Sequence, residues 1–505
     1  MKNNILKLAI AFFMLTVLPF GLKAQPKWHW EKGTIVVETP ERPAGQQSAI
    51  GMATPALPVV RVAFVGLGGR GSAAVKRWTN ILGVRIVALC DYEKDRAEKC
   101  QPFLTEAGLP EADIYYGEEG YKELCQREDI NLVYIATDWE HHVPIAKCAM
   151  ENGKHAAIEV PAALTIQDCW DLINLAEQKR LHCMMLENCC YDFFEMNTLN
   201  MAQQGVFGEI LHVEGAYLHS LWNWTNYWHN WRLKYNKEHR GDIYPTHGLG
   251  PVAQLLNIHR GDRFKTLVAM DTKPVIGPVA VQEFPQNLTD IDAPYRNGDH
   301  TTTLIRTMQG KVIEIQHDVM TPQPYNRRYQ LTGTKGFANK YPIEGYALSS
   351  QQMKESGVDQ ISTDNLKGHE FMKKEDFDAL VKKYQSPIAK KYGERARKVG
   401  GHGGMDFIME LRLVYCLQNG LPLDMDVYDL AEWCCLAELG ALSMDCDNAP
   451  VRVPDFTRGH WQDVQGFRYA NATPEQEAAV DSLSAQYTRL LKTKGPKAAE
   501  KLVKK

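Results

Sequence analysis

Apolar residues along this chain follow two rhythms. Between positions 59 and 190 they gather in short unbroken runs, at 62–65, 85–90, 132–136, 156–160 and 182–186. The intervening stretches, 72–82, 94–107, 142–152 and 165–179, read as helices. Unbroken apolar strands alternating with helices predict a parallel sheet covered on both faces. Beyond about 197 the runs lengthen and partly alternate, at 211–220, 267–271, 301–308 and 312–318, and Gln309-Gly310 reads as a hairpin turn between the last two. A largely antiparallel sheet is expected there, followed by helices at 405–418 and 427–442. The fold class is therefore α/β: an N-terminal doubly wound parallel sheet plus a C-terminal α+β domain with a largely antiparallel sheet.

The ends of the chain carry other patterns. Lys2 and Lys7 precede an apolar stretch, 8–22, and Leu22-Lys23-Ala24 puts a small residue before Gln25. This reads as an export signal, 1–24, cut after Ala24, which places the mature protein in the periplasm or outside the cell. The stretch is short for a membrane span, and no membrane association beyond export is expected. Residues 25–58, rich in Pro, Gly and polar residues, are expected to be an irregular leader; 59–196 and 197–470 are the two domains. The tail, 471–505, reads as a charged, solvated helix with a frayed end. No internal repeat is present.

With 505 residues and a formal net charge of -4, the chain lacks the basic excess that nucleic-acid binding needs. Its 12 cysteines are irregularly spaced, without zinc-like CxxC pairs, and read as buried thiols. The neighbours His141 and His142 are not expected to share an ion, and no metal is expected.

The first run ends in Gly66-Leu67-Gly68-Gly69-Arg70-Gly71, a GxGxxG string between a predicted strand and a predicted helix. Gly66 permits the tight turn, Gly68 lets backbone approach a pyrophosphate, and Gly71 lets helix and strand pack closely. Asp91 closes the second run, where a carboxylate accepts the ribose hydroxyls and repels a 2′-phosphate. This is the dinucleotide signature of a Rossmann domain, and it favours NAD over NADP. Arg70 is the counterweight, because its guanidinium could reach a phosphate.

On GLGGRG, Ala88-Leu89-Cys90-Asp91, the YIATDWEHH string at 134–142 and Ile158-Glu159-Val160-Pro161, the N-terminal block resembles the Gfo/Idh/MocA oxidoreductases. Most members carry Glu-Lys-Pro where this chain has Glu159-Val160-Pro161, and that lysine often assists proton transfer at the sugar hydroxyl. The valine variant, with Tyr217-Leu218-His219, Trp231-Arg232-Leu233, the YPTHGLGP string at 244–251, Pro324-Tyr325 and the GGHGGMD string at 400–406, resembles the glycoside hydrolases of family 109, whose founding activity is α-N-acetylgalactosaminidase. The resemblance implies that Gly69, Arg70, Asp91, Trp139, Glu140, His141, His142, Glu159, Val160 and Asn188 hold NAD. It implies that Tyr217, Arg232, Tyr244, Pro245, Thr246, His247 and Tyr325 surround a sugar. Asp138 departs from the pattern, standing where a proline is common.

The chemistry implied is the NAD-dependent exception among glycosidases: oxidation at C3, loss of the C2 proton with elimination at C1, addition of water, and reduction. Such a cycle needs proton carriers. His247 is the first candidate, Tyr325 the second and Tyr217 the third; Arg232 would bind a polar sugar substituent or steady developing negative charge. Each has a packing alternative. Tyr217 fits a strand core, Arg232 a stem laid on Trp228 and Trp231, and the cluster Trp222, Trp224, Trp228 and Trp231 suits a loop core as well as sugar stacking. His402, flanked by glycines, is a further candidate for the sugar pocket. Two other functions stay open on the sequence: net sugar oxidation, and glycan binding without catalysis. A small-molecule or glycan partner is expected throughout, and an exposed sheet face would suit a homo-oligomer.

Overall fold

The computed structural model describes residues 26–221, 231–285, 293–357 and 368–503. The expected export signal and the cluster residues Trp222, Trp224 and Trp228 lie outside these residues. Among the described residues no helix is long and apolar enough to cross a membrane.

The chain opens with a hairpin, β1 (Trp28–Glu31) and β2 (Thr34–Val37), turned at Lys32 and Gly33, both at positive φ. The irregular leader expected here is corrected accordingly: Ile35, Val36 and Val37 are buried, so β2 is held by an apolar face too short to stand out in a polar leader. Six parallel strands follow: β3 (Val60–Val65), β4 (Val84–Asp91), β5 (Asp113–Tyr116), β6 (Leu132–Ile135), β7 (His155–Ile158) and β8 (Cys183–Met185), in the spatial order β5-β4-β3-β6-β7-β8. The order reverses at β3, so the crevice of this doubly wound sheet opens beyond the carboxyl ends of β3 and β6. The expected helix at 94–107 is two, Lys94–Glu98 and Gln101–Glu106, because Pro102 suits only the first turn of a new helix.

The second sheet has ten strands: the opening hairpin with β9 (Ile210–Leu218), β10 (Phe264–Asp271), β11 (Thr301–Thr307), β12 (Val312–Asp318), β13 (Tyr329–Gly333), β14 (Gly336–Asn339), β15 (Gly345–Leu348) and β16 (Val451–Arg452). Its order is β1-β2-β16-β10-β11-β12-β9-β13-β14-β15, antiparallel except for the parallel pairs β9–β12 and β2–β16. The expected hairpin turn is present, with Gly310 at φ +83.

Two expectations about the second half need correction. The helices after 400 divide between the two sheets: Leu436–Asp445 packs on β10 and β16 joins the second sheet, but two others do not. Helix Met405–Asn419 packs beside β3 and the helix Gly69–Trp78, and helix Val427–Cys434 packs on β8 and the helix Ile166–Lys179. The expected single helix at 427–442 is two, Val427–Cys434 and Leu436–Asp445, meeting at Cys435. Nor is the tail solvated on every face. Tyr487 and Leu491 of helix Pro474–Lys494 are buried with Val59, and Glu500 of helix Pro496–Val503 accepts hydrogen bonds from Arg61, Arg85 and the Tyr487 hydroxyl. Those few apolar residues are diluted among charges along the helix, which is why the pattern reads as polar. All twelve cysteines are free, ten of them buried.

Candidate active site

Where the parallel sheet changes direction, the glycine string forms a bare cradle. Gly66 has φ +88, and a Cβ there would lie 2.5 Å from the Ala136 carbonyl carbon. A Cβ on Gly71 would overlap the Gly66 carbonyl oxygen, so helix and strand meet backbone to backbone. At Gly68 and Gly69, by contrast, a Cβ would meet nothing within 4 Å. The helix Gly69–Trp78 starts there with no side-chain cap and no acidic residue in its first turn. Open space over free backbone N–H groups at a helix N-terminus fits a pyrophosphate. Asp91, at the end of β4, accepts the Leu67 N–H at 2.6 Å and the Glu93 N–H at 3.0 Å. Each oxygen keeps lone-pair capacity for a ribose hydroxyl.

Beyond the cradle lies a cavity of about 180 Å³ lined by Arg70, Ala136, Thr137, Trp139, His142, Glu159, Val160, Asn188, Tyr217, Arg232, Tyr244, His247 and His402. One wall is a network of paired charges. Arg70 donates to Glu159 at 2.7 Å and to Asp406 at 2.7 Å. Asp406 also accepts from Asn188 at 2.6 Å and lies 2.9 Å from Nδ1 of His402. Burial would raise the Asp406 carboxyl, but the charge of Arg70, the His402 hydrogen bond and Arg77 hold it far below the usual range. Behind it Arg77 holds Glu410, whose carboxyl burial pushes up to about 7 despite that arginine. Arg70 is thus committed to two carboxylates, which removes the counterweight it posed to NAD. Val160 is apolar and buried, and its carbonyl accepts Trp139 Nε1 at 3.2 Å.

Asp138, the departure from the expected proline, caps helix Trp139–Glu151 by accepting the His141 N–H at 3.3 Å. The helical turn that follows splits the expected group. Trp139 and His142 face inward, His142 lying 2.9 Å from the Pro161 carbonyl and 3.2 Å from that of Thr137. Glu140 and His141 are exposed, and neither lines the cavity. A helix carries i and i+3 on one face and sends the residues between them outward.

The opposite wall is aromatic. Helix Thr246–Leu255 begins after Pro245 and runs backbone to backbone against β9: a Cβ on Gly248 would lie 2.6 Å from the Ala216 nitrogen. This close approach is why the string is rich in glycine, and it brings His247 in the first turn beside Tyr217, ring centroids 5.2 Å apart. Tyr244 stands over Tyr217 at 5.1 Å, with its hydroxyl 3.4 Å from His247 Nε2. His247 Nδ1 lies 2.7 Å from the buried Glu187 carboxylate. Arg232 stacks over Trp139 and Trp231, at 5.5 and 5.2 Å. His219 and His317 flank Tyr217, each pushed down to about 4 by burial. Pro245 and Thr246 set the helix start without lining the cavity. Tyr325, half-exposed, meets His219 at 4.3 Å and is not among the lining residues.

Sequence reasoning missed Glu187, Arg77 and Glu410, and gave Asp406, the last residue of the 400–406 string, no role. Glu187 follows a buried apolar run directly and could have been suspected as an acid at a strand's carboxyl end. Asp406 stands one helical turn after His402, whereas Arg77 and Glu410 carry no comparable local mark.

Two family models match the chain in series. One, described as an oxidoreductase family NAD-binding Rossmann fold, covers residues 60–187, and the other, described as the C-terminal domain of glycosyl hydrolase 109, covers 191–463. Glycosyl hydrolase family 109 protein 5 of Phocaeicola vulgatus is 61% identical over 517 residues, spanning 100% of this chain and 99% of its own length. Glycosyl hydrolase family 109 protein 1 of Bacteroides thetaiotaomicron is 56% identical over 476 residues, 94% of this chain and 100% of its own. Among solved structures, levoglucosan dehydrogenase in complex with NADH and levoglucosan shares the fold, with a TM-score of 0.59 at 18% identity over 78% of this chain and 99% of that one.

Proposed function

Because this chain belongs to glycosyl hydrolase family 109, we propose that it hydrolyses a terminal N-acetylgalactosamine, α-linked, from glycans, with its NAD returned to the starting state in each cycle. It is an enzyme of that family on an NAD-binding oxidoreductase fold. The observation that supports the cycle is the wall of Tyr217, Tyr244 and His247 facing a cofactor wall without the usual lysine, while the sugar and its linkage rest on the family.

Bound NAD supplies reversible hydride acceptance at C3 of the sugar, which acidifies the neighbouring C2 proton. Gly68, Gly69 and Asp91 would hold its pyrophosphate and ribose, and Trp139, Glu159, Val160 and Asn188 would line the cavity beyond them. The Tyr244 hydroxyl and His247 Nε2 form one route for a proton, and Tyr217 closes the space beneath them. Across the cavity, His402 has Nδ1 tied to Asp406, leaving Nε2 as a second site for proton exchange. Arg232, steadied on two indole faces, binds a polar substituent of the ring.

A panel of α- and β-linked aryl glycosides, incubated without added NAD, tests the reading. Release of aglycone from the α-linked N-acetylgalactosaminide with no net NADH is expected. Stoichiometric NADH would establish net oxidation instead, the reading Val160 disfavours. Full-speed cleavage by protein stripped of dinucleotide would sink the cycle. We also propose export, on the apolar stretch 8–22; an intact N-terminus on protein recovered from the producing cells would oppose it.

A further inference from the structure

Glu187 ends the last parallel strand's connection and points under the helix that carries His247. It is fully buried, and its Oε1 lies 2.7 Å from His247 Nδ1 while accepting the Cys189 N–H at 3.1 Å. The seat is shaped for it: a Cβ on Gly250, in the same glycine string, would lie 2.9 Å from Glu187 Cγ. Residues 187 and 247 come from different domains, so the contact exists only when the two sheets are docked. Burial would raise this carboxyl, but the charge of His247 and the hydrogen bond between them hold it below its ordinary value.

We propose that Glu187 is the positioning residue of the catalytic histidine: by accepting Nδ1–H it fixes the imidazole in the tautomer whose Nε2 lone pair faces Tyr244 and the sugar, and it steadies the imidazolium formed when Nε2 takes a proton. Nothing passes to Glu187 itself; the proton moves onto Nε2 and returns from it. The proposal rests on His247 acting as a proton carrier, as argued above. It explains why an acid is buried at a domain junction with an imidazole, not an arginine, against it. Glycine at 250 leaves room for both the Glu187 side chain and the Trp433 ring.

The test compares Glu187→Gln and Glu187→Asp with the parent protein, each carrying its NAD. Glu187→Gln keeps volume and removes charge; Glu187→Asp keeps charge and withdraws it by one methylene. A positioning role predicts that Glu187→Gln loses about 10²- to 10⁴-fold in kcat with KM within about threefold. Glu187→Asp is expected to recover part of that loss. A purely packing role predicts the reverse order, with the isosteric Glu187→Gln the milder change, and would overturn the proposal. Imidazole ¹⁵N spectra supply a readout independent of the reaction. A His247 Nδ1–H resonance in the parent, absent in Glu187→Gln and in His247→Gln, is expected; an unprotonated Nδ1 in the parent would overturn the proposal. If the parent cleaves no glycoside, the spectra still decide the pairing, so failure of the assigned reaction and failure of this inference are separable.

Discussion

On the cofactor wall, Arg70 and Arg77 are matched against Glu159, Asp406 and Glu410, every ion within reach of its counterion. On the aromatic wall, Tyr217 and Tyr244 flank His247, His219 and His317 flank Tyr217 in turn, and the carboxylate that touches His247, Glu187, lies beneath the helix and outside the cavity lining. The first wall spends its polarity on fixed pairs that hold a ligand in place. The second leaves neutral groups whose protons can move. Fixed charge pairs thus dominate one wall and titratable rings the other, with His402 joining the two through Asp406.

That division can be broken from either side. The largest effect is expected from His247→Ala, which should cut kcat by about 10²- to 10⁴-fold while NAD still copurifies; aglycone release and dinucleotide extraction measure the two separately. Loss of NAD together with activity would show that the walls are not separable. Gly68→Val tests the other side. Its side chain would fill the open space over the cradle, so bound NAD should fall by about tenfold or more with the circular dichroism unchanged. Next comes Arg70→Met, which leaves Glu159 and Asp406 buried without their shared cation and should cost about 3 kcal/mol in thermal or denaturant unfolding.

The pH dependence of stability reads the two walls in opposite directions. His317, on the aromatic wall, is held near 4 when folded against about 6.5 unfolded. Its contribution is present above about 6.5 and is lost as pH falls through 4, because the unfolded chain then binds the extra proton. Glu410, on the cofactor wall, is pushed to about 7 against about 4.3 unfolded. It favours the fold below about 4.3, and that contribution is lost as pH rises through 7. His317→Gln should flatten the acid side of the stability profile and Glu410→Gln the alkaline side. The smallest effect is expected from Tyr325→Phe, which should change kcat by no more than about threefold, because its ring meets His219 and not the cavity.

What the sequence disclosed follows from how each feature is made. Parallel strands buried on both faces write themselves as unbroken apolar runs, so β3, β4, β6, β7 and β8 were readable; β5, an edge strand with Asp113 and Tyr116 exposed, was not. The glycine string and Asp91 were readable because backbone geometry demands those residue types at that spacing. The pairing of Glu187 with His247 was not, nor that of Asp406 with Arg70, although Asp406 stands one helical turn after His402. Glu187 meets a partner 60 positions away, and Asp406 meets Arg70 across 336. No local rhythm encodes such a meeting. The split of Trp139 and His142 from Glu140 and His141 needed the helix phase, which a motif string does not state.

The clasp at the far end of the chain has a consequence for synthesis. Val59, at the threshold of the first nucleotide-binding strand, is covered by Tyr487 and Leu491, and Arg61 and Arg85 find their anion in Glu500. A ribosome delivers those partners more than four hundred residues later, so the nucleotide module emerges early with one edge unfinished. Excising it as a free-standing reagent would expose that edge, and a shortened chain lacking the closing helices should be the less soluble for it.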